Sequence, residues 1–365
     1  MTCGVSCGAQ LAFAGKGTVA ITADDDHDGT FTVVASHADA AQYYHNVQWV
    51  DADGDATPEL LVATTNFSDA GDEQLVDRYD GVAITTAFDL RTIDDGSGGT
   101  PWRRYLPITI SSGDYDGDGA LDLAWIGTFP SFQVARGRGM LRFESGPQGS
   151  AGPPDLSNPI ADGVGWGDVD GDGDDDLAIV TDTQLYILTS DHHALTPTAP
   201  IAMPGRTYWG AWADADGDGK LDLALAGNAF ARVYKNSGAA LDPTPIFELD
   251  GPQFYGGAWT DLDGDGKLDL ALTVNDGKLG VYLNQGATFA TTPVWTSIED
   301  QTAPVIVSAD VDGDHDLDLI VANHAPRPSR IYVNLGDESY DLATVQLPAQ
   351  DYESVSPTAR TAPTR

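Results

Sequence analysis

The chain alternates short apolar segments with polar turns. Segments such as LDLAWIG, LDLALAG and LDLIVAN place apolar residues at alternate positions, as in a half-buried β-strand. A second strand-like segment follows, for example ARVYKNSG, LGVYLNQG or SRIYVNLG, and then a third, such as PIFELDG or PVWTSIED. A further strand-like segment, often with a tryptophan near its end, precedes each group. We find no amphipathic helical stretch, so the pattern predicts an all-β protein made of four-stranded units.

An acidic motif, D-x-D-G-D-x-x-x-[DE], lies between the first two strand-like segments of a unit and occurs six times. Its first aspartates are 46 to 63 residues apart. The acidic residues are Asp51, Asp53, Asp55 and Glu59; Asp114, Asp116, Asp118 and Asp122; Asp168, Asp170, Asp172 and Asp176; Asp214, Asp216, Asp218 and Asp222; Asp261, Asp263, Asp265 and Asp269; and Asp310, Asp312, Asp314 and Asp318. Four strands per repeat is the pattern of a β-propeller blade, and a mean spacing of about 52 residues predicts about seven blades.

The segment TADDDHDGTF, residues 22–31, resembles a seventh acidic motif but fits it poorly. It contains three alternating aspartates, yet it lies only half a period before Asp51. Thr32 stands where the motif requires its last acid. We therefore interpret this segment as the turn between the third and fourth strands of a blade.

The first strand of that blade must then come from the other end of the chain. The segment YESVSPTA, at about residues 352–359, lies about one period beyond Asp310. The sequence thus predicts a single seven-bladed propeller over residues 1–365, with short flexible ends at about 1–8 and 360–365. Strands from both termini are expected to close the last blade and remove free edges, and the seventh acidic loop is absent because the chain ends there.

The acidic motif and its strand context resemble the FG-GAP or VCBS repeat proteins, which include the propellers of integrin α subunits. The resemblance extends from about residue 9 to about residue 345. It implies that each acidic loop joins the first two strands of a blade and holds Ca²⁺.

The composition of the loop independently favours a hard cation. Carboxylates at positions 1, 3 and 5, a backbone carbonyl at position 7 and an acid at position 9 supply six or seven oxygen ligands, which suits Ca²⁺ better than Mg²⁺. Glycine occupies position 4 of every loop, which predicts a left-handed backbone there. Position 6 is glycine in four loops, whereas Ala56 and His315 replace it in the first and last. We expect up to six Ca²⁺ ions.

Composition excludes several classes of protein. The formal charge of −38 excludes a nucleic-acid or anionic-membrane surface as the partner. The chain has no run of 18 apolar residues, so we predict no membrane span. No signal peptide is evident either, and we therefore expect a mature form or a piece of a longer surface protein. Cys3 and Cys7 form a local disulfide or remain thiols, because a zinc site would need more ligands nearby.

A candidate ligand site follows from the longest interval between motifs. Long segments at residues 64–81 and 89–107 interrupt the regular pattern, and seven of the thirteen arginines lie between residues 78 and 142. The candidate residues are Trp102, Arg103, Arg104, Tyr105, Arg136 and Arg138. Arginine forks bind carboxylates or sulfates, which predicts an acidic glycan or an acidic protein segment as the ligand. The alternative is that these arginines balance nearby aspartates.

Three functions remain open at this level. The first is an extracellular adhesion, recognition or surface-assembly module with a protein or glycan partner at the cell surface. The second is a lectin-like binder of acidic glycans, and the third is a polysaccharide lyase. The sequence contains no G-x-S-x-G, H-E-x-x-H or phosphate-loop motif. His192 and His193 are adjacent at a predicted turn between strands, and we expect no joint role for them, because adjacent residues of a strand point apart. No catalytic residue is predicted, and the oligomeric state stays open.

Overall fold

The computed structural model describes sixteen segments of the chain. They are residues 10–23, 30–50, 59–66, 73–79, 84–89, 107–117, 122–127, 132–137, 143–145, 165–180, 183–191, 195–238, 240–302, 305–336, 339–345 and 352–357. Every regular element in these segments is a β-strand, as predicted. Among them, no helix is long and apolar enough to cross a membrane. The predicted flexible ends lie outside this part of the chain.

Sheet 1 contains seven strands that come from both ends of the sequence. They are β1 (Gln10–Ala23), β2 (Thr30–Val50), β3 (Glu59–Asn66), β4 (Glu73–Tyr79), β5 (Ile84–Asp89), β27 (Thr344–Val345) and β28 (Tyr352–Pro357). Their order is β28-β1-β2-β3-β4-β5, and β27 pairs in parallel with β2. Every other pairing in this sheet is antiparallel.

Sheets 2 to 6 follow in chain order, each with a four-strand antiparallel path. Sheet 2 contains β6 (Pro107–Gly113), β7 (Asp122–Gly127), β8 (Phe132–Gly137) and β9 (Phe143–Ser145). Sheet 3 contains β10 (Trp166–Gly167), β11 (Asp176–Val180), β12 (Gln184–Ser190) and β13 (Leu195–Pro197), with β14 (Ile201–Ala202) also paired to β12. Sheet 4 contains β15 (Thr207–Ala213), β16 (Asp222–Gly227), β17 (Phe230–Tyr234) and β18 (Phe247–Asp250). Sheet 5 contains β19 (Phe254–Thr260), β20 (Asp269–Val274), β21 (Leu279–Tyr282) and β22 (Trp295–Thr296). Sheet 6 contains β23 (Val305–Ala309), β24 (Asp318–Ala322), β25 (Arg330–Asn334) and β26 (Tyr340–Leu342).

The N-terminal strands are longer than the sequence predicts. β1 spans two predicted strands: its first half pairs with β28 and its second half with β2. The register shifts between Lys16 and Thr18, where Gly17 has a φ of +74°. β2 in turn pairs with β1 through its first half and with β3 through its second half. Two predicted blades therefore share continuous strands in sheet 1.

The predicted pairing between the two ends of the sequence is confirmed. β1 and β28 are antiparallel, with Leu11 opposite Pro357 and Phe13 opposite Val355. The ring of Phe13 meets Tyr352 edge-on at 5.5 Å between centroids. Residues 24–29, predicted as a turn, lie outside the described residues, but the strands on either side pair with Ala23 opposite Thr32.

Apolar side chains from neighbouring sheets form the core. One cluster joins Val233 and Phe247 of sheet 4 to Trp259 and Leu270 of sheet 5. Similar buried clusters join sheet 2 to sheet 3, sheet 3 to sheet 4, sheet 5 to sheet 6, and sheet 6 to β1 and β28. The sheets therefore pack in chain order, and their alternating apolar residues form the contacts between successive sheets.

Tryptophans in the first strands connect neighbouring sheets by hydrogen bonds. The indole N–H of Trp166 donates to the carbonyl of Ser111 at 3.2 Å. In the same way, Trp212 donates to Gly165 at 3.0 Å and Trp259 to Ala211 at 3.1 Å. This repeated bond explains the tryptophan near the end of the first strand of several units, because a buried indole needs an acceptor.

Glycines allow the tryptophan rings to lie against the neighbouring backbone. A Cβ on Gly113 would lie 2.5 Å from Cγ of Trp166. A Cβ on Gly257 would lie 2.7 Å from the ring of Trp209 in the preceding sheet. Such distances are too short for a side chain, so any larger residue must push the two sheets apart.

We predict that Gly257→Ala lowers the free energy of unfolding by about 1–3 kcal/mol, because the added methyl group overlaps the Trp209 ring. The matched control is Gly251→Ala, where an added Cβ meets no atom within 4 Å. The control should change stability by less than about 1 kcal/mol. Urea unfolding in calcium buffer measures both, and equal stabilities of the two variants would contradict the proposed contact.

Candidate metal centre

The acidic loops link the first and second strands of their sheets. In sheet 4, β15 ends at Ala213 and β16 begins at Asp222, so Asp214, Asp216 and Asp218 lie in the connection. Sheets 3, 5 and 6 have the same arrangement, and in sheet 2 the loop is described as far as residue 117. The loops thus occupy the position that the resemblance implies.

Carboxylate oxygens converge in five of the loops. In each, three aspartates present oxygen atoms that all lie within 4.8 Å of one another. The groups are Asp114, Asp116 and Asp122; Asp168, Asp170 and Asp176; Asp214, Asp216 and Asp218; Asp261, Asp263 and Asp265; and Asp310, Asp312 and Asp318. Two oxygens bound to one Ca²⁺ are at most about 5 Å apart, since each Ca–O distance is about 2.3–2.6 Å. The spacing therefore fits one such cation per loop.

The left-handed backbone predicted at position 4 is confirmed in the described loops. Gly117, Gly171, Gly217, Gly264 and Gly313 have φ angles of 66° to 86°. At position 6, Gly173, Gly219 and Gly266 also have positive φ. His315 takes this position in the last loop with a φ of 81°, so the loop keeps its shape without glycine.

In sheets 3 to 6, the first aspartate of the loop folds the loop around its own carboxylate. Asp214 accepts hydrogen bonds from the backbone N–H groups of Asp218 and Gly219, both at 2.9 Å. Asp310 likewise accepts from Gly313 at 2.7 Å and from His315 at 3.2 Å. Equivalent bonds reach Asp168 and Asp261. Side-chain bonds to nearby backbone amides are how aspartate stabilises tight turns.

In sheets 3 to 6, the ninth residue of the loop is a buried aspartate that accepts two backbone hydrogen bonds. One carboxylate oxygen accepts from position 2 of the loop, and the other accepts from a backbone N–H at, or two residues beyond, the end of the third strand, at 2.7–3.3 Å. These aspartates are Asp176, Asp222, Asp269 and Asp318. We expected both oxygens to be available to a cation. Each instead already accepts one hydrogen bond, which leaves one lone pair per oxygen for coordination.

Burial raises the pKa of these ninth-position carboxyls. The pKa of Asp176 and of Asp222 rises to about 6, and that of Asp269 and of Asp318 to about 7, chiefly through loss of solvation. Neighbouring carboxylates add to the rise, whereas the backbone N–H donors oppose it. The loops therefore hold more negative charge than the surrounding protein groups stabilise.

In the loops of sheets 4 and 5, Oδ1 of Asp216 and Oδ1 of Asp261 are buried and have no hydrogen-bond partner among the described residues. A buried acceptor left unsatisfied costs about 1–3 kcal/mol, and more when it is charged. A bound cation would remove that cost. The all-oxygen donor set and these two atoms fit a hard divalent ion.

Lysines partly neutralise two of the loops, which sequence reasoning did not foresee. Lys220 lies 3.0 Å from Asp218, Lys235 contacts Asp216 and Asp218, and Lys267 contacts Asp265. The lysines lower the pKa of Asp218 and of Asp265. The signal was present in the sequence, because four of the five lysines belong to these two repeats, and three of those four contact the loops.

A second unforeseen group links the loops of sheets 2 to 5 to the sheet that follows each of them. Nδ2 of Asn236 donates to the carbonyl of Val169 at 2.7 Å, and Nδ2 of Asn284 donates to that of Ala215 at 2.7 Å. Nδ2 of Asn334 donates to the backbone carbonyl of Asp261 at 3.4 Å, and the Ser190 hydroxyl donates to the carbonyl of Tyr115. We call these four residues the latch residues. The recurring asparagine in KNSG, LNQG and VNLG was the available signal.

Several predicted site residues lie outside the described residues. They are Asp51, Asp53, Asp55, Asp118, Trp102, Arg103, Arg104, Tyr105 and Arg138. Glu59 and Arg136 are described only as parts of strands β3 and β8. The first acidic loop and the arginine-rich ligand site therefore remain predictions.

We predict that the metal-free protein is more stable at pH 5 than at pH 8. The folded-state pKa of the four ninth-position aspartates lies above the unfolded value of about 3.9, so protonation favours the folded state. This stabilisation is lost as the pH rises through about 6 to 7. Melting temperatures in a chelator at the two pH values test it, and an Asp318→Asn variant should show a smaller difference. A higher melting temperature at pH 8 would contradict the assignment.

Comparison with known sequences shows a family match over the acidic repeats. The model of the FG-GAP-like repeat matches residues 114–179, 168–225, 214–272 and 261–321, which together cover more than half of the chain. None of the curated proteins has a significant sequence match to this chain.

Solved structures share the fold at low sequence identity. An Agrocybe aegerita lectin, described as recognising non-reducing terminal N-acetylglucosamine, is 17% identical with a TM-score of 0.60, and the match covers 98% of this chain and 96% of the lectin. A Lactobacillus plantarum protein is 13% identical with a TM-score of 0.64, and the match covers 96% of this chain and 99% of that protein. A periplasmic gluconolactonase of Pseudomonas aeruginosa is 13% identical with a TM-score of 0.61, and the match covers 96% of this chain and 99% of the gluconolactonase. At this identity the similarity identifies the fold alone, which is a β-propeller.

Proposed function

Because the chain belongs to the FG-GAP-like repeat family, we propose that it is a calcium-stabilised β-propeller in which each acidic loop binds one Ca²⁺. The sequence provides six such loops. The propeller is further proposed to act outside the cell as an adhesion, recognition or surface-assembly module.

The convergence of three carboxylates in five successive loops carries the calcium proposal. The donor set is entirely oxygen, which hard cations prefer, and the flexible coordination of Ca²⁺ suits a loop of seven or more residues better than the strict octahedron of Mg²⁺. The unpartnered oxygens of Asp216 and Asp261 support the same conclusion.

Each acidic loop provides side-chain and backbone ligands for the proposed ion. Aspartates at positions 1, 3 and 5 and the ninth aspartate would hold the ion, and the backbone carbonyl at position 7 would add a ligand. The ion supplies positive charge that offsets the repulsion between these carboxylates. Two neighbouring carboxylates about 4 Å apart repel by roughly 1–4 kcal/mol, depending on the local dielectric. The ninth aspartate would then join the ion to the second and third strands.

Contacts between sheets support a closed ring of seven blades. First strands of successive units touch, as in β15 with β19, β19 with β23, and β23 with β28. β28 in turn contacts β2, β2 contacts β6, and β6 contacts β10. In this arrangement, sheet 1 provides two blades: β28, β1 and the first half of β2 belong to the last, and the second half of β2 with β3, β4 and β5 forms the first.

An extracellular role as a recognition module fits the charge and the architecture. The charge of −38 favours solubility and calcium binding over nucleic-acid binding. Loops on a rigid propeller are suitable positions for contacts with a partner. The polysaccharide lyase has no comparable support among the residues that the structure describes.

A lectin-like role is the second candidate function, and similarity to the Agrocybe aegerita lectin favours it. Its proposed site is the arginine-rich set Trp102, Arg103, Arg104, Tyr105, Arg136 and Arg138. Arginine forks with adjacent aromatic rings suit acidic sugars.

We predict that removing calcium with a chelator lowers the melting temperature by tens of degrees, because an ion that binds only the folded state stabilises it by mass action. Calorimetry with and without added calcium measures the shift. An unchanged melting temperature would contradict calcium binding by the loops.

The loop assignment is tested separately by counting bound ions. The double variant Asp263→Ala, Asp265→Ala should bind one Ca²⁺ fewer than the parent protein, since it removes two oxygen ligands from a single loop. Asp341→Ala, which removes an exposed aspartate side chain in β26, is the matched control and should bind the parental number. Equal ion counts in the double variant and the parent would reject this loop as a site.

We also predict that an acidic-glycan panel in calcium buffer detects binding that the double variant Arg103→Ala, Arg104→Ala loses. Both substitutions remove a guanidinium fork from the proposed lectin-like site. Unchanged binding in this variant would place the glycan site elsewhere on the protein. If the parent protein binds no glycan, the arginines serve only to balance the charge of nearby aspartates.

A further inference from the structure

A cleft between sheets 5 and 6 contains positive charge that the calcium loops do not use. Its volume is about 380 Å³. Its lining residues are Lys278, Ile298, Glu299, Asp300, Asn323, Pro326, Arg327, Pro328 and Arg330. We propose that this cleft binds the carboxylate group of a small anionic ligand, with Arg330 as the principal contact.

The cleft lies at the opposite end of the sheets from the acidic loops. Lys278 belongs to the turn between β20 and β21, and Arg327 belongs to the connection between β24 and β25. In an antiparallel sheet, these connections and the acidic loops fall at opposite strand ends. Residues 297–302, between β22 and β23, lie at the same end as Lys278. The inference therefore goes beyond the proposed calcium function.

The local charge is unusual for this protein. The whole chain has 18 lysines and arginines against 56 acidic residues. The cleft has three cations, Lys278, Arg327 and Arg330, against two acids, Glu299 and Asp300. The formal local charge is thus +1 within a chain of charge −38. A small positive region surrounded by negative charge is selective for anions that reach it.

Arg330 is available for a ligand, whereas the other charges are engaged. Lys278 forms an ion pair with Asp300 at 3.0 Å, and Arg327 donates to the backbone carbonyl of Asp300 at 2.8 Å. The Glu299 carboxylate accepts from the Tyr332 hydroxyl at 3.5 Å. Among the described residues, no carboxylate lies within ion-pair distance of the Arg330 guanidinium. A guanidinium presents paired N–H donors that match the two oxygens of a carboxylate.

The walls of the cleft are held in place by buried polar groups. Nδ2 of Asn323 donates to Gln301 at 2.8 Å and to the carbonyl of Pro328 at 3.0 Å. The Ser329 hydroxyl accepts the backbone N–H of Asn323, and the Asn323 side-chain oxygen accepts that of Thr302. Asn323 and Gln301 are both buried. Arg327 therefore extends from a fixed connection and Arg330 from the start of β25, which lowers the ordering cost of binding.

Size and surface define the ligand further. A cleft of this volume is at the lower end of small-molecule sites and suits a molecule about as large as one sugar or amino acid. Pro326, Pro328 and the 87% exposed Ile298 offer apolar surface beside the cations. The ligand class is therefore a single carboxylate on a small body, either an acidic sugar or a simple organic acid.

Binding of three probes to the full chain in calcium buffer tests the proposal. Glucuronate carries the carboxylate on a sugar ring, acetate carries it alone, and glucose is the neutral match to glucuronate. We expect ligand-detected NMR titration to show binding of the carboxylates and none of glucose. Tighter binding of glucuronate than of acetate would assign an acidic sugar, and equal binding would assign a simple organic acid.

Substitutions of Arg330 test whether this residue contacts the ligand carboxylate. Arg330→Gln should weaken carboxylate binding by roughly tenfold or more, and Arg330→Lys, which keeps the charge but loses the fork, by less. Lys16→Gln removes one exposed positive charge from β1, outside the cleft, and should bind as the parent does. Parental melting temperatures and calcium counts in all three variants would show that the fold and the loops are intact. Absence of carboxylate binding, equal binding by Arg330→Gln and the parent, or equal binding of glucose and glucuronate would each overturn the proposal without affecting the calcium assignment.

Discussion

The buried ninth aspartate of the acidic loops in sheets 3 to 6 is the group on which these repeats depend. Its two carboxylate oxygens accept a backbone N–H of the loop and a backbone N–H at, or two residues beyond, the end of the third strand. The residue itself begins the second strand. Three consecutive parts of a sheet are therefore fixed by one side chain. A carboxylate is suited to this position because it accepts at two oxygens and donates at none when ionised.

Keeping that carboxylate ionised has an electrostatic cost, and other groups of the loop either increase or offset this cost. Burial and the neighbouring aspartates raise its pKa, while backbone donors and, in two loops, lysines act in the opposite direction. Protein groups alone leave Oδ1 of Asp216 and Oδ1 of Asp261 unsatisfied. The abundance of aspartate over glutamate in this chain is consistent with that geometry, because a short side chain holds its carboxylate close to the turn.

Much of the repeat was predictable from the sequence, because each repeat carries its own local signals. Alternating apolar residues and acidic turns predicted the four-stranded sheets, the position of the loops and the left-handed glycines. The pairing of β1 with β28 followed from counting periods. The continuous strand β1 was not predicted, because its length depends on pairing with two distant segments, β28 and β2. Latch residues and loop lysines were also missed, since their partners lie in other strands or in the preceding repeat.

The latch residues also give the molecule a direction along its sequence. Asn236 and Asn284 each bond backwards, to the acidic loop of the sheet that precedes their own. During synthesis on the ribosome, a loop therefore emerges before the residue that secures it, by about one repeat. In this part of the chain, each loop is secured only when the next sheet has been made. Sheet 1 differs, because β1 is made first and its partner β28 is made last, so this sheet stays incomplete until the whole chain has been synthesised.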